Sequence, residues 1–326
     1  MNQLYPEIAD KLMTPEAAVR KFIKKGCQLA IGGFTVNRNP MALIYEIVRQ
    51  KVRDLHLVCH SNGQGLDVLI GAGCVKRLEI AYGGNGRYAP TCIRFKKAIE
   101  QGEIEFEDYS NFQMSLRFLA GSLGIPFIST KSGLGSDVLR REGFAAATRQ
   151  EPRVAKKKYV ILQNPFNEKE DHVVLLPALN PDVALIHAQY VGEEGTVRIK
   201  GLTFADLEQA KAADVVIVSC EAIVSRALIR SDPDQNSLPG FLVDAIVLMP
   251  YGAHPTACYG FYDYDPQHLN LYKKAAEDDA LFQNYLTEWI YTVAAYDRYL
   301  DKAGAAQLVK IKADPVLGYA KGLDRK

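Results

Sequence analysis

Several short polar motifs in this 326-residue chain follow apolar runs, and their residue types suit the binding of a carbonyl oxygen or a carboxylate. The first is Gly32-Gly33-Phe34-Thr35, which closes the run Leu29-Ala30-Ile31 and leads through Asn37 and Arg38 to Pro40. Two glycines ending a buried strand let another group approach bare backbone, so their amides can hold an acyl oxygen, a carboxylate or a phosphate. Strands also end in glycine merely to turn. The second motif is His60-Ser61-Asn62-Gly63-Gln64-Gly65, where Ser61 and Asn62 can hydrogen-bond a carboxylate or amide, or simply make a polar turn. The third, Gly83-Gly84-Asn85-Gly86-Arg87-Tyr88, offers Asn85 and a guanidinium suited to bidentate contact with an anion. In Glu107-Asp108-Tyr109-Ser110-Asn111 the adjacent carboxylates suit acid/base work, while Ser110 reads equally as a helix cap. His254, in Tyr251-Gly252-Ala253-His254-Pro255, is either a further acid/base group or a structural turn histidine.

Other chemistries are excluded. There is no G-x-S-x-G elbow, and neither His60 nor His187 has a nucleophile and base beside it in the sequence. His56 and His60 form H-x-x-x-H, but on a strand four residues span about 13 Å, so no metal is expected. The run Gly84-Asn85-Gly86-Arg87-Tyr88-Ala89 fits only the loosest dinucleotide fingerprint, with Pro90 where a helix should be running, and a P-loop is absent. Thirty-nine basic against 38 acidic residues give a net charge of +1, so no overall field gathers nucleic acid or membrane, and the ligand is recognised locally. No run of about 18 apolar residues occurs and the first residues lack an apolar signal core, so a cytoplasmic location is expected. The six scattered cysteines read as reduced and structural.

The elements that must carry these motifs alternate. Thr14-Pro15 opens a helix that Gly26 stops, and a strand at 27–31 follows. Helices at 41–49, 66–70, 91–99 and 112–123 then alternate with strands at 55–59, 78–82, 104–106 and 126–128. Strands at 173–176, 183–188, 215–218 and 243–248 come later, with a helix at 204–212. This rhythm predicts an α/β fold, an open mostly parallel sheet with helices on both faces, and functional loops at the carboxyl ends of the strands. The chain reads as one domain over 1–326, with a solvated surface excursion near 145–158, where Arg149, Arg153, Lys156, Lys157 and Lys158 cluster. A helical stretch over 269–302, broken near Asp278-Asp279, carries the aromatics Phe282, Tyr285, Trp289, Tyr296 and Tyr299 as a core-facing or subunit-facing stripe.

On these residues the chain resembles the α subunits of family I CoA-transferases, most closely the glutaconate branch, over nearly its whole length. The family's apolar triplet, Gly-Gly-Phe and later proline match Leu29 to Phe34 and Pro40, although Lys25 and Arg38 depart from the general pattern. The likeness continues in Glu107-Asp108-Tyr109-Ser110, Ile186-His187-Ala188-Gln189, Gly195-Thr196-Val197-Arg198-Ile199 and the long Tyr251 to Asp265 segment. The resemblance implies a ping-pong transfer in which a glutamate carboxylate attacks an acyl-CoA, becomes a glutamyl-CoA thioester and passes CoA to a second carboxylic acid. That glutamate sits in a Ser-Glu-Asn-Gly motif of a β subunit, and His60-Ser61-Asn62-Gly63 lacks it, so no nucleophile is expected in this chain.

The resemblance therefore assigns the chain an oxyanion and acyl pocket made of Gly32, Gly33, Phe34, Thr35, Ser61, Asn62, Asn85, Ser110 and Asn111. Arg87, with Arg38, would grip a substrate carboxylate, and Glu107, Asp108 and His254 are the acid/base candidates. No permanent cofactor is implied, coenzyme A thioester being a substrate, and the assembly would be a hetero-oligomer (αβ)n. Substituting Gly33 by valine should then damage activity more than assembly. Gly86 stands where the glutaconate branch has serine, which leaves a dicarboxylate open but not glutaconate in particular. Ser132-Gly133-Leu134-Gly135-Ser136-Asp137 looks more like a related hydrolase branch, whereas Asn111 replaces the glutamate that branch uses and cannot act as a base. The alternatives are a nonenzymatic acyl-CoA-binding module and a thioester hydrolase or decarboxylase/lyase subunit.

Overall fold

The structure, a computed structural model, describes residues 4–167, 171–293 and 295–323. Its strands in chain order are β1 (Gln28–Ile31), β2 (Leu55–Asn62), β3 (Val75–Gly83), β4 (Glu105–Asp108), β5 (Phe127–Thr130), β6 (Val160–Gln163), β7 (His172–Pro177), β8 (Val183–Gly192), β9 (Val197–Arg198), β10 (Val215–Val224) and β11 (Ala245–Leu248). The main sheet runs β11-β10-β8-β1-β2-β3-β4, parallel throughout, with β9 added antiparallel to β8. From β1 the chain winds outward through β2, β3 and β4, and from β8 it winds the other way through β10 and β11. The winding therefore reverses between β1 and β8, and it is at such a reversal, outside the carboxyl ends of the strands, that open α/β sheets form a crevice.

The strands are buried on both faces, as their continuous apolar runs require. On one face Leu29, Ile31, Leu57 and Leu78 pack with Ile44, Tyr45, Phe282, Tyr285 and Tyr299, and on the other Ala30 and Val58 meet Met114, Phe118, Val174 and Leu176. The C-terminal aromatic stripe thus faces this chain's own core. It runs through the helical segments Asp279–Leu286, Thr287–Tyr291 and Tyr296–Ala303, and Asp278 caps the first of them where the sequence breaks.

Two sequence expectations change. The strand expected at 126–128 is β5, which leaves the parallel sheet and pairs antiparallel with β7, itself paired with β6. A short apolar run carries no information about which sheet it joins. The excursion at 145–158 is only partly solvated: Arg149 and Lys158 are buried, because Arg149 pairs with Glu107 and Lys158 donates to Asp108 over 3.0 Å and to two backbone carbonyls. Among the described residues, no helix is long and apolar enough to cross a membrane.

Candidate active site

The Gly32–Thr35 turn emerges from β1, the strand bordering the winding reversal, and the loops after β2, β3 and β4 close on it. Asn62 donates through Nδ2 to Gly32 O at 3.2 Å, and its Oδ1 accepts the amides of Gly63 and Leu66 at 3.0 Å each. Gly63 is so tightly enclosed that a Cβ there would lie 2.6 Å from Gly84 O and 2.7 Å from Thr35 O. Asn85 donates to Gln64 Oε1 at 3.0 Å, and Ser61 Oγ to Asn111 Oδ1 at 2.7 Å. Thr35, Ser61, Asn85 and Asn111, carried by four different strands, are thereby drawn into one strand-end cluster.

Three amides of the turn already have acceptors. Gly32 N–H donates to Leu185 O at 2.9 Å, Gly33 N–H to Asp206 Oδ1 at 2.7 Å and Phe34 N–H to Asn37 O at 2.8 Å. Of the four, only the Thr35 amide has no acceptor among the described residues. Thr35 is half-buried and holds a left-handed backbone at φ +47°, an uncommon conformation for a β-branched residue. The expected oxyanion donors thus narrow from the glycine pair to Thr35.

Most of the other expected polar groups are engaged inside the fold. Arg38 is buried, paired with Asp206 Oδ2 at 2.7 Å and donating to His187 O at 3.0 Å and Leu202 O at 2.6 Å, so it is no grip for a substrate carboxylate. Arg87 lines a separate cavity of 210 Å³ with Lys310, Lys321, Gln267 and Gln307. The side chain of Asn62 is spent on the loops. Ser110 caps helix Asn111–Ser122, its hydroxyl accepting from Gln113 N–H at 3.1 Å while the Gln113 side chain accepts from Ser110 N–H. Glu107 is buried under Arg149, Tyr109 OH and the amides of Gly143 and Phe144, and Asp108 is held by Lys158. Both ring nitrogens of the buried His254 are engaged, with Tyr299 OH at 2.7 Å and Asp265 Oδ2 at 3.0 Å. Glu107 and His254 are thus fully engaged within the fold, whereas the Asp108 side chain, paired through one oxygen, stays 46% exposed.

Sequence reasoning missed His60, Phe204 and Asp206. Phe34 and Phe204 stack with ring centroids 3.8 Å apart and planes within 11°, and the His60 ring lies 5.9 Å from the first and 6.2 Å from the second. Burial pushes the His60 pKa down, which favours the neutral imidazole, and its Nδ1 has no partner among the described residues. Phe34, Phe204 and His60 thus form an aromatic cluster at the strand ends. The motif at His60 was visible as polar residues ending a strand, whereas nothing local marked Asp206, 168 residues from Arg38.

A second polar cluster lies beneath, and it too was missed. His187 Nδ1 sits 2.8 Å from Ser219 Oγ and Nε2 2.8 Å from Glu221 Oε1, so this histidine does have a hydroxyl and a carboxylate beside it. Glu221 also accepts from Tyr262 OH at 2.5 Å and Tyr251 N–H at 2.7 Å. Cys258 completes a group of three metal-ligand types whose donor atoms lie within 4.8 Å of one another. All are buried, and the histidine and carboxylate atoms already satisfy one another. The cluster reads as a core network beneath the crevice.

A family model described as Coenzyme A transferase matches residues 12–249. The chain belongs to the coenzyme A transferase family. It is 40% identical over 310 residues to one subunit of the glutaconate CoA-transferase of Acidaminococcus fermentans, covering 95% of this chain and 97% of that one. The crystal structure of glutaconate coenzyme A-transferase from that organism superposes with a TM-score of 0.92 at 39% identity, over 96% of this chain and 98% of the other. The same fold also carries other names. A chain from a variant of the decarboxylase AibA/AibB matches with a TM-score of 0.69 at 33% identity, covering 85% of this chain and 98% of its own. The IpdA subunit of the cholesterol ring-cleaving hydrolase of Rhodococcus jostii is 30% identical over 288 residues, covering 86% of this chain and 92% of its own. The open, mostly parallel α/β sheet expected from the sequence is the fold these comparisons share.

Proposed function

We propose that this chain is the α subunit of a heteromeric CoA-transferase that moves CoA between an acyl-CoA and a carboxylic acid. The observation that carries this reading is the state of the carboxylates around the crevice. Glu107 and Asp206 are buried against internal arginines and the half-exposed Asp108 is paired with Lys158, so neutral donors and aromatic rings are the groups this chain chiefly offers a substrate. A site of that kind can stabilise an acyl oxygen and wall an acyl chain, but it needs an attacking group from elsewhere. The exposed apolar residues Phe112, Leu202 and Phe204 at the carboxyl edge support a protein partner there, since a monomer gains nothing by leaving them in water.

In the proposed reaction the partner's glutamate carboxylate attacks the thioester carbonyl. The C–S bond breaks, CoA leaves as thiolate, and a mixed anhydride forms. The thiolate then attacks the glutamyl carbonyl, releasing the first acid and leaving glutamyl-CoA thioester, and a second carboxylate runs the steps in reverse. Negative charge develops on the acyl oxygen at each attack, where the Thr35 amide is the donor this chain offers, with Ser61, Asn85 and Asn111 around the acyl group. One relative described above is named for glutaconate, so glutaconate is the first acceptor to assay. The hydrolase and decarboxylase named above keep a second outcome open on the same fold, and the residue at the partner's glutamate position separates the two.

The purified chain alone should transfer no CoA between acetyl-CoA and glutaconate, and adding the co-encoded partner should restore turnover. Full activity of the chain by itself would overturn the reading.

A further inference from the structure

We propose that Asp206 is the positioning residue of this crevice, one carboxylate that fixes both the Thr35 amide and the Phe34–Phe204 wall; its functional half rests on the CoA-transferase reading above. Asp206 is only 1% exposed. It stands on the β8 side of the winding reversal and bonds the turn that leaves β1 on the other side. Its Oδ1 accepts Gly33 N–H and its Oδ2 accepts Arg38 Nη2, both at 2.7 Å. Between those two residues, Phe34 and Asn37 exchange backbone hydrogen bonds of 2.8 and 2.7 Å. The segment from Phe34 to Asn37, with the Thr35 amide in it, is therefore held at both ends by one side chain.

The other half of the wall is tied to the same group. Phe204, two residues before Asp206, is a bulky residue held at φ +43°, and its ring lies flat on Phe34. Backbone of this kind persists only where the surroundings over-determine it. Arg38 adds two further ties on that side, to His187 O and Leu202 O. Asp206 is thus the shared anchor of two strained residues, Thr35 and Phe204, on the two segments that meet in this wall. Asparagine could still accept from Gly33 N–H, but it would lose the ion pair and set an amide against the guanidinium. A positioning role predicts a large catalytic effect without contact with substrate, since small misplacements of reacting groups cost rate steeply.

The test compares wild type with Asp206→Asn, and with the charge-balanced double variant Arg38→Met/Asp206→Ala in case a lone buried guanidinium prevents folding. Amide hydrogen exchange is followed over residues 33–38 in the chain and in its complex with the co-encoded partner, and kcat and KM are measured for acetyl-CoA with glutaconate. The expected result is exchange at Gly33, Phe34 and Asn37 faster by about tenfold or more, with the core strands unchanged. In the complex, kcat should fall about a hundredfold while KM for the thioester stays within about twofold. Unchanged exchange in the turn overturns the anchor, and faster exchange with wild-type kcat overturns the positioning role. A wild-type complex that transfers no CoA counts against the proposed function instead, and the exchange data still decide whether Asp206 holds the turn.

Discussion

At the glycine turn the backbone packs against itself more closely than it could pack against a ligand. Gly33 has φ +81°, and a Cβ there would lie 2.5 Å from Asn37 O and 2.6 Å from the Arg38 carbonyl carbon. The two glycines are required by the fold of the turn, and the amide left without an acceptor among the described residues is that of Thr35. This reverses the expectation for substitutions there. Gly33→Ala should cost about 1–3 kcal/mol of stability, seen as a lower urea midpoint. A variant with wild-type stability and collapsed turnover would show instead that the missing side chain makes room for substrate. The polar residue types were legible in the sequence, but their engagements were not. Glu107, His254 and Arg38 carry the right groups for catalysis, and each is spent on a partner far along the chain: Arg149, Tyr299 and Asp206. No local spacing encodes such pairs.

Between elements, Asp67 joins three helices: it lies on Gln64–Gly71, accepts from Phe95 N–H at 2.8 Å in Ile93–Glu100, and accepts from Tyr272 OH at 2.9 Å in Pro266–Ala276. Burial raises its pKa to about 6, against its hydrogen bonds, which pull the other way. The folded chain thus holds a proton that the unfolded chain has released above about pH 4, so this group's contribution to stability is present at low pH and lost as pH rises toward 6. Asp67→Asn does not titrate. Relative to wild type it should gain about 2 kcal/mol between pH 4 and pH 7, read from urea denaturation at each pH. A difference that stays constant over that range would contradict the assignment.

Elements themselves were the most legible part of the sequence. The helix expected at 41–49 is Met41–Arg49, and Thr14 caps Pro15–Phe22 through a 3.1 Å bond from Ala17 N–H, because apolar period and capping chemistry are local. β2 runs three residues past its expected end, to Asn62, since the polar residues His60, Ser61 and Asn62 continue the ladder on β3. β5 joined a different sheet because pairing is decided by tertiary packing.

At the scale of the molecule, the reversal of winding between β1 and β8 explains why motifs scattered over the sequence meet at one edge. Parallel strands all end on the same side, and the crevice opens where neighbouring connections diverge. A net charge of +1 gives this edge no overall attraction for anions, so in the proposed function recognition falls to the Thr35 amide, the Ser61–Asn111 pair and the aromatic wall. The C-terminal aromatic stripe offers no further ground for a partner, because Phe282, Tyr285 and Tyr299 are buried in this chain's own core. The proposed function makes this edge a half-site whose attacking carboxylate comes from a partner. The measurement that bears on this most directly is to incubate the complex of this chain and its co-encoded partner with acyl-CoA, reduce with borohydride, and locate the modified residue by peptide mass spectrometry. Reduction of a glutamate on the partner, with none on this chain, is the predicted result; a reduced carboxylate on this chain, or none on either chain in a complex that turns over, would contradict it.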